Sequence, residues 1–484
     1  MNMKSPQIIA GILAAIALIG GTLHAQTEDE GAKPALELGV PFSDHAVLQQ
    51  KAKLPVWGTS LSGARVTVRF DGQIKTTDAD NQGVWRIELD PMDAVKLASV
   101  NDCPEGKTMI VVSEKDGKKA VREIKNLIMG DVWLCAGQSN MAGKMRTSLS
   151  RHFPENSIEK ADYPALRQMI SGQGTAWLVC SPETAPEIKK VAFFFGRRLQ
   201  QDALVPVGLI CAAVGGSKIE SWLNQEPYPI GGIHTKLIEP LVGYGLRGAL
   251  WYQGESNEND RRLYQPKLQS LITGWRTVWN QGEFPVYFVQ LPGIGVSSLD
   301  NPAGGDGRAE IRQASVETLK LKNTGLAVTI DVGAKGEHPP NKYDTGVRLA
   351  RLALHHDYGF TELTPSPLYK NHAIKNGTIR ISFDHAPGGL MIARKEGFPP
   401  PSPTPDAKLQ WLSIQSKDGR WYWAEGHIDG SELVVSSKDV HEPIAVRYAY
   451  TQHPAGHLLY NKQGQPVSPF STIGYGSKKK PQKK

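Results

Sequence analysis

Cysteine is scarce in this chain, and the spacing of its cysteines argues against a zinc site. The 484 residues include four cysteines, at positions 103, 135, 180 and 211, and no two of them form a C-x-x-C pair. Such pairs are the usual sequence sign of a structural zinc site. Cys135 and Cys211 lie in apolar, strand-like stretches, where a free cysteine behaves as a small hydrophobic residue. The spacings leave the pairing of any disulfides open.

Long apolar runs are absent after the N-terminus. The run from Ile8 to Ile19 follows Lys4, is broken only by Gly11, and precedes the small residue Ala25. It is shorter than the ~20 residues that span a bilayer. The pattern predicts a signal peptide over residues 1–25, with a retained membrane anchor as the alternative. We therefore expect an exported protein, periplasmic or extracellular, with no stable membrane span after cleavage.

A strong excess of one charge is also lacking in the body of the chain. The formal net charge is +7, but residues 477–484 alone contain five lysines. A nucleic-acid partner is therefore not expected. Residues 473–484 are predicted to form a basic, disordered tail. The overall composition, 40% hydrophobic and 21% charged, is typical of a globular protein.

The length of the chain indicates more than one domain, because single cores stop growing near ~250–300 residues. In residues 26–127, apolar and polar residues alternate around turns such as Asp71-Gly72, which predicts an N-terminal β-sandwich-like domain. Strand patterns return in residues 361–472, which predicts a C-terminal β-rich region. Within it, the proline-rich stretch 398–405 is expected to be a loop.

Residues 128–360 alternate between buried strands and helices, which predicts a three-layer α/β domain with a parallel sheet. Helical spacing of apolar residues occurs at 188–201, 263–278 and 343–358. Apolar runs typical of buried strands occur at 128–136, 205–214, 247–252, 284–291 and 326–331.

Three polar motifs follow predicted strands, and ligands of open α/β sheets bind at the carboxyl ends of the strands. Ser139 follows the first strand; a serine there can be a nucleophile if a base lies beside it, or can simply cap a helix. Gly215 and Gly216 form a turn whose backbone N–H groups can stabilise an oxyanion, or a plain tight turn. Gln253, in the third motif, offers an amide donor for the same oxyanion.

The base is expected near the same edge of the sheet, and His338 follows the last predicted strand. Asp331, seven residues earlier, is a candidate to orient the imidazole, and Glu337 is its competitor. Glu255 is a further candidate, either as a structural or as a catalytic acid.

Two long strings in the chain resemble the sialate O-acetylesterase family of SGNH-type hydrolases. They are Gly130–Met141 and Arg247–Asn257, and Val446–Tyr450 is similar to the family's C-terminal β region. The resemblance implies an SGNH-type domain that removes acetyl groups from sugar hydroxyls with no metal or other cofactor. Trp222 and Trp251 are then candidates for stacking on the sugar, each with a core role as the alternative. It further implies Ser139 as the nucleophile and His338 as the base. The implied oxyanion hole comprises Ser139, Gly215, Gly216 and Gln253.

The chain departs from the family at the third member of the catalytic triad. Many relatives carry an aspartate two or three residues before the histidine, where this chain has Lys335 and Gly336. The acid of the triad is therefore either Asp331, which we favour, or Glu337. A backbone carbonyl that holds His338 is the third alternative.

The sequence thus predicts a serine esterase that acts on an O-acetylated sugar or glycan through an acetyl-serine intermediate. A sialate O-acetylesterase is the favoured form. The alternatives are an acetylesterase for plant or algal polysaccharide, such as acetylated xylan, and a catalytically silent carbohydrate-binding protein.

Overall fold

The computed structural model describes residues 36–147, 153–154 and 156–474. The predicted signal peptide, and the predicted tail from residue 475 onward, lie outside these residues. No helix within the described ranges combines the length and the apolar character needed to cross a bilayer. The architecture is mixed α/β, with several β-sheets.

The N-terminal part of the chain forms short strands that pair antiparallel, except β2, which pairs parallel with β8. The predicted turn at Asp71-Gly72 is present, and both residues adopt positive φ values, 48° and 77°, as a two-residue hairpin turn requires. Strands β1, β3 and β6 form one sheet, while β4, β5 and β7 join β8. The bounds are β1 Leu36–Leu38, β2 Val47–Gln49, β3 Leu54–Ser60, β4 Arg65–Phe70, β5 Gln73–Asp78, β6 Val84–Leu89, β7 Lys107–Lys115 and β8 Lys118–Gly137.

Strand β8 connects the N-terminal strands to the central sheet. Its first half pairs antiparallel with β7, and its second half is buried and pairs with parallel strands on both sides. The predicted domain boundary at residues 127/128 therefore falls inside one continuous strand of 20 residues.

The central sheet has the order β10-β9-β11-β8-β12-β13-β14, and all neighbours except β9 and β10 are parallel. The carboxyl ends of β8, β11, β12, β13 and β14 therefore meet at one edge. Strand β14 ends earlier than predicted, because the chain leaves the sheet in a 3₁₀ turn at Ile330–Val332. The remaining bounds are β9 Tyr163–Ile170, β10 Trp177–Cys180, β11 Val207–Ala213, β12 Gly248–Tyr252, β13 Val286–Val289 and β14 Thr324–Ala327.

Helices connect or follow the parallel strands. The three helices predicted from apolar spacing are present, each displaced by one or two residues, and a helix not predicted lies between β13 and β14. Helices α2 and α5 pack closely, because a Cβ at Gly346 would lie 2.7 Å from the Phe194 Cβ. The bounds are α1 Ser139–Ala142, α2 Lys190–Ala203, α3 Tyr264–Trp279, α4 Gly307–Thr318 and α5 Lys342–Asp357.

The C-terminal part of the chain is β-rich, and its strands form three small sheets. The proline-rich stretch differs from the expected loop, because Ser402–Pro403 pairs with β17 as an edge strand, where proline is tolerated. The bounds are β15 Leu368–Lys375, β16 Thr378–Asp384, β17 Leu390–Arg394, β18 Ser402–Pro403, β19 Leu412–Ser416, β20 Trp421–Trp423, β21 Glu425–Asp429, β22 Glu432–Ser436, β23 Pro443–Tyr448, β24 Leu458–Asn461 and β25 Phe470–Ser471.

The four cysteines are free thiols. Cys135 and Cys211 are fully buried side by side on β8 and β11, as expected for small hydrophobic residues. Burial raises the pKa of the Cys135 thiol well above its ordinary value. These thiols therefore act as core residues.

Candidate active site

Ser139 stands at the carboxyl end of the central strand β8 and begins the short helix α1. The backbone just before this serine requires glycine at position 137. Gly137 has φ = 144°, and a Cβ there would lie 2.1 Å from the carbonyl oxygen of Tyr252 on β12. The Gln138 N–H also donates to that carbonyl, at 3.0 Å. Strand β12 thus fixes the turn that presents the serine, which is partly exposed.

His338 lies beside Ser139, although 199 positions separate the two residues. Its Nε2 is 2.9 Å from the Ser139 Oγ. The histidine is exposed and belongs to the connection between the 3₁₀ turn at Ile330–Val332 and helix α5. A hydroxyl hydrogen-bonded to an imidazole is the arrangement that activates serine nucleophiles. The structure therefore brings together the two residues that the sequence singled out.

The Gly215-Gly216 turn follows β11 and lies next to the serine. A Cβ on Gly215 would sit 3.8 Å from the Ser139 Cβ, and Gly216 has φ = 69°. Among the described residues, no backbone hydrogen bond engages the N–H of Gly215 or Gly216. The Ser139 N–H lies at the first position of α1, where a helix offers no internal partner. These backbone N–H groups near the Ser139 hydroxyl therefore have no backbone acceptor among the described residues.

Gln253 is also close to this turn, but its amide is occupied. Its Nε2 donates to the Ser217 carbonyl at 3.1 Å and to Asn257 Oδ1 at 2.7 Å, while its Oε1 accepts from the Tyr264 hydroxyl. The side chain is 2% exposed. It therefore braces the glycine turn, and it could donate to an oxyanion only by exchanging one of these bonds.

The structure does not bring Asp331 to His338, which departs from the favoured assignment of the acid. Both Asp331 oxygens accept from the Arg348 guanidinium, at 2.6 and 2.7 Å, and its side chain is 1% exposed. The Tyr460 hydroxyl is a further partner, at 3.3 Å. A carboxylate held by a buried arginine fork is committed to that arginine.

The competing acid, Glu337, is exposed. Its backbone carbonyl, and not its carboxylate, takes part in the site, as the acceptor of a hydrogen bond from Asn140. Within the described ranges, no carboxylate is hydrogen-bonded to the His338 ring. Neither predicted acid therefore completes a triad in this structure.

Asn140 and Lys342, to which the sequence analysis assigns no role, form hydrogen bonds next to the serine. Asn140 Oδ1 accepts from the Lys342 ammonium at 2.5 Å, and its Nδ2 donates to Glu255 Oε1 at 2.5 Å and to the Glu337 carbonyl at 3.0 Å. Glu255 therefore binds the residue next to the nucleophile. The available signal was the position of Lys342, four residues after His338 at the start of a predicted helix.

Lys342 is 5% exposed, and burial lowers the pKa of its ammonium to about 7. Glu255 opposes this shift and Lys190 adds to it. The ammonium also lies over the Tyr252 ring, 5.5 Å from its centroid. Asn140 thus lies between the buried Lys342 and the partly buried Glu255.

The two tryptophans considered for sugar stacking are core residues. Trp222 and Trp251 are 0% and 1% exposed and pack edge to face, with centroids 5.4 Å apart. A cleft of about 1060 Å³, lined by residues such as Trp423, Glu425 and His427, lies in the C-terminal β region. Neither Ser139 nor His338 lines it, so the serine site is separate from this cleft.

Known proteins match the chain across this site. The family described as carbohydrate esterase, sialic acid-specific acetylesterase, matches residues 129–354, which include Ser139, Gln253 and His338. Human sialate O-acetylesterase is 25% identical over 544 aligned residues, which cover 97% of both chains. The chain therefore resembles this acetylesterase family, and residues 129–354 match its domain. It is accordingly a carboxylic ester hydrolase.

Two further comparisons cover most of the chain. Sialate O-acetylesterase of Rattus norvegicus is 26% identical, over 89% of this chain and 93% of the relative. A carbohydrate acetylesterase from Xanthomonas citri, known from its crystal structure, is 29% identical with a TM-score of 0.79. That alignment covers 90% of this esterase and 99% of the bacterial chain, so the similarity includes both β-rich parts as well as the parallel sheet.

Proposed function

We propose that Ser139 and His338 carry out the removal of O-acetyl groups from sugars that characterises this family. The observation that supports the proposal is the 2.9 Å contact between the serine Oγ and the histidine Nε2 at the carboxyl edge of the sheet. The sialate O-acetylesterases that align over nearly the whole chain make O-acetylated sialic acid the favoured substrate.

The proposed reaction begins with attack of the Ser139 hydroxyl on the acetyl carbonyl, while His338 Nε2 accepts the hydroxyl proton. The backbone N–H groups of Ser139, Gly215 and Gly216 are the proposed oxyanion donors, and each such donor typically contributes roughly 3 kcal/mol. The imidazolium then returns the proton to the departing sugar oxygen. Water, deprotonated by His338, then attacks the carbonyl of the acetyl-serine; acetate leaves, and the imidazolium returns the proton to the Ser139 oxygen.

In this mechanism Gln253 acts on the glycine turn and not on the substrate. Its hydrogen bond to the Ser217 carbonyl ties the turn to β12 and keeps the Gly215 N–H next to the serine. Asp331 likewise acts at a distance, because its pairing with Arg348 joins the turn after β14 to helix α5. The third position of the triad is therefore not assigned to either carboxylate.

The proposal extends to the architecture and to the compartment. The parallel sheet and the helices that connect its strands support a three-layer, SGNH-type catalytic domain between two β-rich regions. The N-terminal sequence pattern supports export, to the periplasm or the extracellular space.

A polysaccharide acetylesterase is the second candidate, and two observations support it. The bacterial relative of known structure, a carbohydrate acetylesterase, aligns with this chain at 29% identity. His338 is also exposed, so the site is open enough for a substituent on a long chain. Acetylated xylan is therefore the substrate to compare with acetylated sialic acid.

The test is acetate release by the mature chain from p-nitrophenyl acetate, O-acetylated sialic acids and acetylated xylan, with Ser139→Ala beside the wild type. We expect release from at least one sugar substrate and a loss of at least ~10³-fold in the variant, since residual catalysis without a nucleophile is small. The ranking of the two sugars decides between the candidates. Release that is equally low in both proteins would instead indicate a carbohydrate-binding protein without activity.

A further inference from the structure

Two hydrogen bonds, one from Ser139 and one from the next residue, Asn140, connect the nucleophile to the segment that carries its base. Ser139 Oγ contacts His338 Nε2, and the next residue, Asn140, donates from Nδ2 to the carbonyl of Glu337, which precedes the histidine. One bond joins the reacting side chains and the other joins an amide to the backbone of the histidine loop. The loop is thus held at two consecutive residues.

The orientation of the Asn140 amide follows from its neighbours. An ammonium can only donate, so the atom that faces Lys342 must be Oδ1. A carboxylate and a carbonyl can only accept, so the atom that faces Glu255 and Glu337 must be Nδ2. Both N–H bonds and the oxygen of this amide are therefore used, and a rotated amide would lose all three contacts.

The surroundings of Asn140 keep it in this position. The residue is 2% exposed, Lys342 donates to its oxygen, and the Glu255 carboxylate accepts from its nitrogen. Hydrogen bonds to charged groups are stronger than neutral ones and more so away from water. The Glu337 carbonyl consequently meets a fixed donor.

We infer that Asn140, held between Lys342 and Glu255, is a positioning residue that sets His338 against Ser139 through the Glu337 carbonyl. This inference rests on the proposed roles of Ser139 and His338. It explains how the imidazole keeps its place when no carboxylate is bonded to its ring among the described residues. It also gives Glu255 and Lys342 a function outside the chemical step.

The test compares two variants that differ at one atom of residue 140. In Glu255→Gln, the introduced glutamine keeps an oxygen that accepts from Asn140. In the double variant Glu255→Gln/Asn140→Asp, the amide of that glutamine donates to the introduced aspartate, and Lys342 still pairs with this carboxylate. The donor to the Glu337 carbonyl is lost and a negative charge is added, so Asn140→Ala in the Glu255→Gln background is the uncharged control for the loss of that hydrogen bond.

We expect the double variant to show a kcat on the order of 10²-fold below Glu255→Gln, since misplacement of a catalytic group by about 1 Å costs that much. KM should stay within about 3-fold, because the change does not touch bound substrate. Melting temperatures of both proteins confirm that they are folded. If the double variant does not fold, Asn140→Ala in the same Glu255→Gln background carries the same prediction.

Equal kcat values in the two folded variants would overturn the inference while leaving the serine mechanism standing. The inference would also be overturned if kcat and melting temperature fell together in the double variant but not in Asn140→Ala, because the added charge would then be the cause. Unchanged acetate release in Ser139→Ala would reject both the proposed function and this inference, which separates the two failures.

Discussion

In the segment between β14 and helix α5, His338 takes part in the proposed chemistry, whereas Asp331 supports the fold. Asp331 was the favoured acid from its place after a strand, but its carboxylate forms a bidentate pair with Arg348 inside the fold. Sequence position could not reveal this, because the partner lies 17 residues later and its direction depends on helix α5. Ser139 and His338, by contrast, could be found from motif positions at strand ends.

Asp331→Asn should lower stability more than it lowers catalysis. Removing one partner of a buried ion pair typically costs roughly 3–5 kcal/mol, because the remaining charge stays buried. We expect that loss in denaturant unfolding, with kcat reduced less than ~10-fold in the folded protein. Glu337→Gln, at an exposed side chain, is the control. A stable Asp331→Asn protein with kcat reduced ~10⁴-fold would instead identify Asp331 as the triad acid.

Lys342 gives the folded state a distinct dependence on pH. Its pKa is about 7 in the folded protein and near 10.5 when exposed, so the unfolded chain binds one more proton between these values. Stability rises with pH wherever the unfolded state binds more protons. Burial of the Lys342 ammonium therefore destabilises the folded state most below pH 7, and this destabilisation decreases as pH rises toward 10.5.

Comparison of wild type with Lys342→Met isolates this effect. The difference in free energy of unfolding, wild type minus variant, should rise by at most about 1.4 kcal/mol per pH unit between pH 8 and 9.5. The measurement is urea unfolding at several pH values in one buffer series. A difference that is flat across this range would mean that the ammonium keeps its ordinary pKa.

At the scale of elements, the ends of parallel strands bring the site together. Regular apolar spacing made three helices and most parallel strands predictable, because burial on two faces leaves a clear pattern. Helix α4 was not predicted, since arginine, glutamine and serine occupy several of its buried positions. Strand β14 is shorter than its apolar run, because Ile330 and Val332 are buried in a turn and not in the sheet.

The junction of β8 and β12 should tolerate no side chain at position 137. Gly137→Ala would place Cβ against the Tyr252 carbonyl in a positive-φ conformation, so we expect a loss of at least ~2 kcal/mol and of most activity. Gly336→Ala is the matched control, since its Cβ would meet nothing within 4 Å. It should change stability by less than about 0.5 kcal/mol. Similar melting temperatures for the two variants would contradict this account of the strand end.

At the scale of the whole molecule, the β-rich C-terminal part is joined to the edge that carries the site. Arg312 on α4 is fully buried and donates to the carbonyls of Leu291 and Pro292 after β13. It also donates to those of Thr451 and Gln452 in the C-terminal part. Sequence patterns predict separate regions but not this connection, because the sequence does not distinguish a buried arginine from an exposed one.

Arg312→Met should destabilise the protein by roughly 3 kcal/mol or more, because four backbone carbonyls lose a charged donor in the interior. Thermal and denaturant unfolding measure the loss. Arg262→Met, at an exposed arginine, should change stability by less than about 0.5 kcal/mol. Equal effects of the two substitutions would show that the connection through Arg312 contributes little.

The most direct test of the central claim is mass spectrometry of the protein quenched in acid during turnover of p-nitrophenyl acetate. The account predicts one added acetyl group on the peptide that contains Ser139, and none in Ser139→Ala. His338→Ala should also fail to accumulate it at the wild-type rate, because the hydroxyl loses its base. Turnover at the wild-type rate with acetyl found on another residue, or retained in Ser139→Ala, would contradict the account.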